Sequence, residues 1–174
     1  PFLQFFVREL NGLKEPFLGG FFSLSSHQPY SIPDGFEGKF PKGTLEIHES
    51  IGYADDSLRK FFDEAKKQNW FKNTVFLITA DHTSKLETKK FNNQIGKYRV
   101  PMLIYSPGTT WEDVETKKVT QHSDIPRTIL DLTGISGEEL PATSVSVLAG
   151  DTGAAINYAD GQDYLYVTRE EVLR

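Results

Sequence analysis

The stretch TVFLITADHTSK, residues 74–85, passes from an apolar segment to a polar one without a glycine or proline between them. Residues 74–79 are β-branched or large and apolar, which is typical of a strand that is buried on both faces. This segment ends at Ala80, and Asp81 and His82 follow directly. A buried strand that ends in a carboxylate and an imidazole marks the first candidate site of the chain.

Helices and strands are predicted to alternate along the chain. Apolar residues at helical spacing predict helices over residues 2–13 and 45–68. Pro126 in a first turn and Gly134 at the end predict a third helix over 125–133. Apolar runs predict strands over residues 17–24, 74–79 and 98–106, and a hairpin over 155–167 that turns at Asp160–Gly161. A long loop is expected over residues 31–43. The order predicts an α/β fold, a three-layer α/β/α sandwich around a mainly parallel sheet.

Two predicted strands end in polar groups that could serve chemistry. His27 follows the strand at 17–24, and Asp81 and His82 follow the strand at 74–79. In parallel sheets, ligands bind beyond the carboxyl ends of the strands. We therefore expect His27, Asp81 and His82 to face one cavity.

The composition narrows the classes of function. The chain has 174 residues, no cysteine and a net charge of -5. Disulfides, cysteine zinc sites and a thiol nucleophile are excluded within it, and an acidic chain argues against nucleic acid as a partner. No apolar segment approaches the ~20 residues that span a bilayer. Because residue 1 is a proline that opens an apolar helix, we expect a fragment of a longer protein.

Asp81 and His82 allow two interpretations. Carboxylate oxygen and imidazole nitrogen are suitable ligands for a divalent cation, and both side chains can converge where the backbone turns after a strand. Alternatively, Asp81 caps a turn and His82 is a partly exposed loop residue. The dipeptide alone does not decide between them.

Longer segments carry a family resemblance. The segments FLITADHT, YRVPMLIYSPG and QHSDIPRTILDLTG, with SSHQPY upstream, resemble the sulfatase-like branch of the alkaline phosphatase superfamily. The resemblance is strongest to phosphoglycerol transferases of the lipoteichoic acid synthase type, and it covers most of residues 16–135. It implies that the whole chain, residues 1–174, is the C-terminal portion of one larger alkaline-phosphatase-like domain.

The resemblance also implies roles for individual residues. Asp81 and His82 match paired metal ligands, for a divalent cation that could be Mn, Mg, Ca or Zn. His27 matches the catalytic histidine that contacts the phosphate or sulfate group. A metal would polarise the ester oxygen, and an imidazole can donate to a non-bridging oxygen.

Further basic residues are candidates for substrate binding. His122 precedes the helix at 125–133, where an anion site or a hydrogen bond to a loop carbonyl is expected. Arg99 is a candidate substrate contact or the partner in a structural ion pair. Sulfatases place a substrate lysine in the segment that here contains Lys85, Lys89, Lys90 and Lys97. His48 and Asp124 are interpreted as structural, with Asp124 or Ser123 capping the helix.

Two features depart from the family pattern. Pro126 stands one place early, with Arg127 where the family has proline. The nucleophile and the acidic metal ligand of the first half of the domain have no counterpart here. We therefore expect the fragment alone to be inactive, to bind metal weakly, and to pair or oligomerise through surface that the missing N-terminal half would cover.

The resulting functional hypothesis is an enzyme that cleaves or transfers phosphate-type esters through a covalent enzyme intermediate. Phosphoglycerol or phosphoethanolamine transfer is preferred, and a sulfate ester hydrolase is the alternative within the family. A non-catalytic binding domain of the same fold and a flavodoxin-like small-molecule binder remain open from other classes. The resemblance implies an extracytoplasmic, membrane-anchored protein whose anchor lies in the missing region.

Overall fold

The computed structural model describes residues 1–112, 116–136, 140–150, 153–159 and 161–174. Its helices are α1 (Phe2–Leu10), α2 (Ile47–Ala65) and α3 (Asp124–Thr133). Its strands are β1 (Phe76–Thr79), β2 (Met102–Tyr105), β3 (Ala155–Ala159), β4 (Asp163–Val167) and β5 (Val172–Leu173). Short 3-10 helices lie at Asn69–Asn73 and Gly96–Tyr98. In the described part of the chain, no helix has the length and apolar character to cross a bilayer.

The chain divides into two compact units. Unit 1 comprises residues 1–76 and 105–108, and unit 2 comprises residues 77–104 and 109–174. Each unit has its own group of buried apolar side chains.

The core of unit 1 forms where α1 packs on α2. Both helices present an apolar face because their apolar residues recur every three to four positions. The buried residues of this core are Val7, Leu10, Phe61, Ala65, Trp70 and Phe71. Aromatic rings dominate it, and the Trp70 indole donates a hydrogen bond to Asn11 Oδ1 at 2.7 Å. A buried indole N–H needs such an acceptor, so this bond fixes the end of α1 against the residues after α2.

The solvent face of α2 is a network of ion pairs. Asp56 Oδ2 lies 2.7 Å from Lys60 Nζ, and Asp56 Oδ1 lies 2.6 Å from Arg59. The hydrogen bonds from Lys60 and Arg59 lower the pKa of the Asp56 carboxyl. Farther along, Lys66 and Lys67 pair with Asp63 and Glu64. The cations of this face are therefore compensated by carboxylates one turn away.

His48, in the first turn of α2, binds the loop that leads into the helix, which agrees with its structural interpretation. Its Nδ1 accepts hydrogen bonds from the backbone N–H groups of Thr44, at 3.1 Å, and Leu45, at 3.3 Å. Gly43, at φ +59°, leaves room for this ring, since a Cβ there would lie 2.0 Å from His48 Nδ1. The imidazole thus satisfies two backbone donors of the loop before α2.

We expect His48→Ala to lower the free energy of unfolding by about 1 kcal/mol, the usual net contribution of a hydrogen bond that is lost. Urea denaturation followed by circular dichroism measures this change. His48→Asn is the matched variant, because its amide oxygen restores an acceptor near Nδ1. Equal losses in both variants would show that the acceptor is not what matters.

The strand predicted over residues 17–24 is wrong, because the structure has no strand there. A strand needs a hydrogen-bonded neighbour, and this segment pairs with none among the described residues. Its apolar side chains are largely in solvent, with Leu18, Phe22 and Leu24 67–77% exposed. Residues 31–43 are a loop, as predicted.

Unit 2 contains the candidate metal pair and a small antiparallel sheet. Strands β1 and β2 are hydrogen-bonded neighbours, and β3, β4 and β5 form a three-stranded sheet in that order. The predicted hairpin is confirmed, with Asn157 opposite Leu165, although Asp160 of the predicted turn lies outside the described residues. One face of this sheet is buried, because Ala155, Ala159, Leu165 and Val167 pack with Val119.

Candidate functional site

Asp81 and His82 contact each other directly after β1. His82 Nδ1 donates to the carbonyl oxygen of Thr83 at 2.7 Å, which leaves Nε2 available as an acceptor or metal ligand. That Nε2 lies 3.4 Å from Asp81 Oδ2. The other carboxylate oxygen, Oδ1, accepts the His82 backbone N–H at 3.0 Å. Both residues are exposed, and Asp81 Oδ2 and His82 Nε2 lie side by side after the end of β1.

The spacing of these two atoms fits a shared metal ion. Oxygen and nitrogen ligands of zinc lie about 2.0–2.2 Å from the metal, and two such ligands at a tetrahedral angle are ~3.4 Å apart. The separation of Asp81 Oδ2 and His82 Nε2 equals that value. The backbone bond to Oδ1 holds the carboxylate in place, as the hydrogen-bonded partners of metal ligands commonly do.

The pair offers two possible metal ligands and no more. Within the described residues, no group of three or more acidic, histidine or cysteine side chains could hold a metal. Two ligands leave the remaining positions to water or to groups from elsewhere. The bond from His82 N to Asp81 Oδ1 is also the turn cap of the alternative interpretation, and both contacts use different oxygens of one carboxylate.

His122 lies at the start of α3 and reaches the end of β1. Its Nε2 donates to the carbonyl oxygen of Ala80 at 2.8 Å, across 42 residues of sequence. This is the carbonyl hydrogen bond expected as one of two alternatives, and it fixes the backbone immediately before Asp81. Substrate contact by His122 stays a prediction.

Asp124 holds the start of α3 in place. It is 3% exposed, and its two oxygens accept the backbone N–H groups of Gln121 and Val145, each at 3.0 Å. The predicted cap is wrong, because Ser123 stands at the capping position without a side-chain bond and the Asp124 carboxylate binds backbone N–H groups outside the helix; its role is structural all the same. Gly134 ends the helix at φ +67°, as predicted.

Two threonines that the sequence analysis did not single out fasten the segments around Asp81 and His82. Thr79 Oγ1 donates to the carbonyl oxygen of Pro101 at 2.9 Å. Thr83 Oγ1 donates to the carbonyl oxygen of Lys97. The sequence shows hydroxyl residues on both sides of the Asp–His pair. It does not show their acceptors, which lie 22 residues from Thr79 and 14 residues from Thr83.

Arg99 packs on an aromatic ring. Its guanidinium carbon lies 5.9 Å from the centroid of Phe91, within the range of a cation–π contact. The structural ion pair expected for Arg99 is wrong, because no carboxylate of the described residues pairs with it. Substrate contact by Arg99 stays a prediction.

His27 belongs to unit 1 and lies in the turn of residues 27–30. Its Nδ1 donates to the carbonyl oxygen of Gln28 at 2.8 Å, so Nε2 is the nitrogen left for chemistry. Tyr30 closes the turn at φ +62°, an uncommon conformation for a tyrosine that often marks functional loops. His27 lines an open pocket of about 350 Å³ with Leu24, Gln28, Pro29 and Ser31.

The structure thus brings some of the predicted residues together. Asp81, His82 and the backbone that His122 holds form one cluster in unit 2. Arg99 lies in the same unit, two residues after Lys97, whose carbonyl oxygen accepts a hydrogen bond from Thr83. That His27 shares a cavity with Asp81 and His82 stays a prediction.

A family model described as Sulfatase matches residues 1–135. Lipoteichoic acid synthase 2 of Bacillus subtilis is 26% identical over 180 residues, covering 92% of this chain and 27% of that protein. Lipoteichoic acid synthase of Staphylococcus saprophyticus is 25% identical over 173 residues, covering 88% of this chain and 27% of that protein. The chain therefore spans about a quarter of the length of these curated relatives.

A solved structure has the same fold. It is a protein of the alkaline phosphatase superfamily from Vibrio parahaemolyticus, with a TM-score of 0.71 and 24% sequence identity. The match covers 97% of this chain and 40% of that one. The predicted α/β class, as a fragment of an alkaline-phosphatase-like domain, is confirmed by this likeness.

Proposed function

Since this chain belongs to the sulfatase family, we propose that it is part of a metal-dependent enzyme that cleaves or transfers phosphate-type esters. The observation that supports this most is the 3.4 Å approach of Asp81 Oδ2 and His82 Nε2. An exposed carboxylate and imidazole at ligand spacing, in a chain of this family, favour a metal site over a turn cap alone.

A divalent cation bound there would polarise the ester oxygen of the substrate. Residues of this chain would hold the cation. Asp81 offers Oδ2 and His82 offers Nε2, while the bonds to His82 N and Thr83 O keep both groups oriented. His122 acts through Ala80, because its bond to that carbonyl fixes the backbone from which Asp81 projects. His122 is therefore a positioning residue in this proposal, with substrate contact as its alternative role.

His27 is proposed as the residue that touches the phosphate. With Nδ1 committed to the Gln28 carbonyl, a protonated His27 donates from Nε2 to a non-bridging oxygen. In the neutral form the same nitrogen accepts a proton. Arg99, whose charge has no carboxylate partner among the described residues, is proposed as a further contact to substrate anion.

Phosphoglycerol or phosphoethanolamine transfer through a covalent enzyme intermediate is the preferred reaction, and the relatives named lipoteichoic acid synthases support it. The name of the matched family model keeps sulfate ester hydrolysis as the second candidate. Turnover of bis(p-nitrophenyl) phosphate against p-nitrophenyl sulfate separates the two.

The nucleophile and the remaining metal ligands are proposed to come from an N-terminal half of the same domain. The chain spans only about a quarter of its relatives, which supports this arrangement. The exposed side chains of Leu18, Phe22 and Leu24 provide apolar surface that such a half could cover. We extend the proposal to an extracytoplasmic enzyme anchored in the membrane outside residues 1–174.

We expect His27→Gln, in the protein that carries this chain, to lower kcat/KM for bis(p-nitrophenyl) phosphate about a hundredfold, the usual effect of losing a donor to a developing negative charge. The comparison is made at saturating Mn²⁺, so that metal binding is not the variable. His48→Gln is the matched control, because His48 has a structural role and binds the loop before α2. The role of His27 is rejected if the two variants are equally active.

A further inference from the structure

Side chains cover the free edge of strand β3. In the described part of the chain, β3 has one strand neighbour, β4, so no strand lies beside its other edge. The backbone N–H of Ile156 donates to Gln121 Oε1 at 3.0 Å. The carbonyl oxygen of Tyr158 accepts a hydrogen bond from Tyr98 Oη at 3.3 Å. Residues two positions apart in a strand direct their backbone groups to the same edge, so both side chains satisfy groups that an edge strand would leave open.

Gln121 connects this edge to the backbone before the candidate metal ligands. Its Nε2 donates to the carbonyl oxygen of Thr143 at 3.1 Å, so both ends of its amide are bonded. The next residue is His122, whose Nε2 donates to the carbonyl oxygen of Ala80 at 2.8 Å. Ala80 directly precedes Asp81. A displacement of Gln121 would therefore move the group that fixes this backbone.

Tyr98 connects the same edge to the backbone after the candidate ligands. It ends the 3-10 helix Gly96–Tyr98, and the carbonyl oxygen of the preceding Lys97 accepts the Thr83 hydroxyl. Thr83 in turn receives His82 Nδ1 on its own carbonyl oxygen at 2.7 Å. The edge of β3 is thus linked to both sides of the Asp–His dipeptide.

The geometry of Asp81 and His82 depends on these links because burial does little to hold them. Their side chains are 53% and 74% exposed. The 3.4 Å separation of Asp81 Oδ2 and His82 Nε2 is then set by the backbone on either side and by its hydrogen bonds. Groups that orient metal ligands without touching the metal contribute about 10–100-fold to metal affinity.

We propose that Gln121 and Tyr98 are positioning residues for Asp81 and His82, and that strand β3 is their support. The inference rests on the proposed function, in which Asp81 and His82 hold a divalent cation. It extends that function to a sheet that lies after residues 1–135, the segment that the family model matches. Gln121 has the larger role, because its amide makes two bonds and that of Tyr98 is a single longer one.

Equilibrium dialysis with Mn²⁺, on the full protein that carries this chain, tests the proposal without turnover. Gln121→Met keeps the length of the side chain and removes both amide bonds, so the Mn²⁺ dissociation constant should rise about tenfold. Tyr98→Phe removes one bond and should raise it about threefold. In a His122→Ala background, Gln121→Met should change the constant less than about twofold, because the two residues act in series.

Lys118→Met is the matched control for lost hydrogen bonds in unit 2. Its Nζ donates to the carbonyl oxygens of Ser146, Ala149 and Gly150, at 2.9–3.4 Å. This variant should keep the Mn²⁺ dissociation constant within about twofold of the unmodified protein. Unchanged affinity in the Gln121 or the Tyr98 variant, an equal loss in the Lys118 control, or fully additive losses with His122→Ala would overturn the inference.

Hydrogen exchange of residues 76–84, measured by mass spectrometry in EDTA, separates this inference from the proposed function. Gln121→Met should exchange these amides severalfold faster than Lys118→Met, because the backbone around Asp81 opens more often. Equal exchange in the two variants would overturn the inference, even in a protein that binds Mn²⁺. If Asp81→Ala leaves Mn²⁺ affinity unchanged, the proposed metal site fails, and faster exchange in Gln121→Met would still support the positioning role.

Discussion

Replacing either Asp81 or His82 by alanine should lower metal-dependent phosphodiesterase turnover about a thousandfold or more in the protein that carries this chain. A metal that polarises a phosphoryl oxygen contributes several kcal/mol to transition-state stabilisation, and each 1.4 kcal/mol is about tenfold in rate. The two atoms that could bind the ion, Asp81 Oδ2 and His82 Nε2, are 3.4 Å apart. Each substitution removes one of these two atoms. Steady-state kcat/KM for bis(p-nitrophenyl) phosphate, at limiting Mn²⁺, measures the loss.

The fold should survive both substitutions. The side chains of His82 and Asp81 are 74% and 53% exposed, so alanine leaves no cavity. Asp63→Ala on α2 is the control, since it removes a carboxylate that is 49% exposed and makes only surface ion pairs. Its turnover should stay within about twofold of the unmodified protein. Near-full turnover by Asp81→Ala or His82→Ala at limiting metal would contradict the assignment.

Asp124→Ala should lower the free energy of unfolding by about 3 kcal/mol. The substitution removes a buried carboxylate and leaves the backbone N–H groups of Gln121 and Val145 without their acceptors. Each unsatisfied buried donor costs about 1–3 kcal/mol. The start of α3 should loosen as a result, and His122 would lose its fixed position opposite Ala80. Urea denaturation followed by circular dichroism measures the change.

Two further variants make this result specific. Asp124→Asn keeps one carbonyl oxygen in the side chain and should lose less stability than the alanine variant. Asp131→Ala, on the exposed face of the same helix, should change the free energy of unfolding by no more than about 0.5 kcal/mol. If Asp124→Ala is as stable as Asp131→Ala, the carboxylate does not hold α3 in place.

Local patterns predicted the elements whose stability comes from their own residues. The apolar periodicity of α2 locates a helix predicted at 45–68 to within three residues at each end. The hairpin of β3 and β4 follows from two alternating runs around a short turn. The prediction of a strand at 17–24 was wrong because strand pairing is not a local property. Apolar residues permit a strand, but a strand forms only where a neighbour accepts and donates its backbone hydrogen bonds.

The same distinction applies to the candidate site. Asp81 and His82 are neighbours in sequence, so their contact could be expected from the dipeptide. The acceptor of His122 is 42 residues away, and the Asp124 carboxylate receives a donor 21 residues away, at Val145. No spacing rule predicts these partners, because they depend on how α3 packs in unit 2. An ion pair with a carboxylate was expected for Arg99, but its guanidinium packs on the ring of Phe91 instead.

The central claim is that Asp81 and His82 bind one divalent ion together. A crystal structure of the protein that carries this chain, grown with Mn²⁺, would locate the ion by anomalous scattering. We expect one peak about 2.0–2.4 Å from both the Asp81 carboxylate and His82 Nε2. A manganese ion in the protein that contacts neither residue, with the Asp81–His82 pair free of density, would contradict the account.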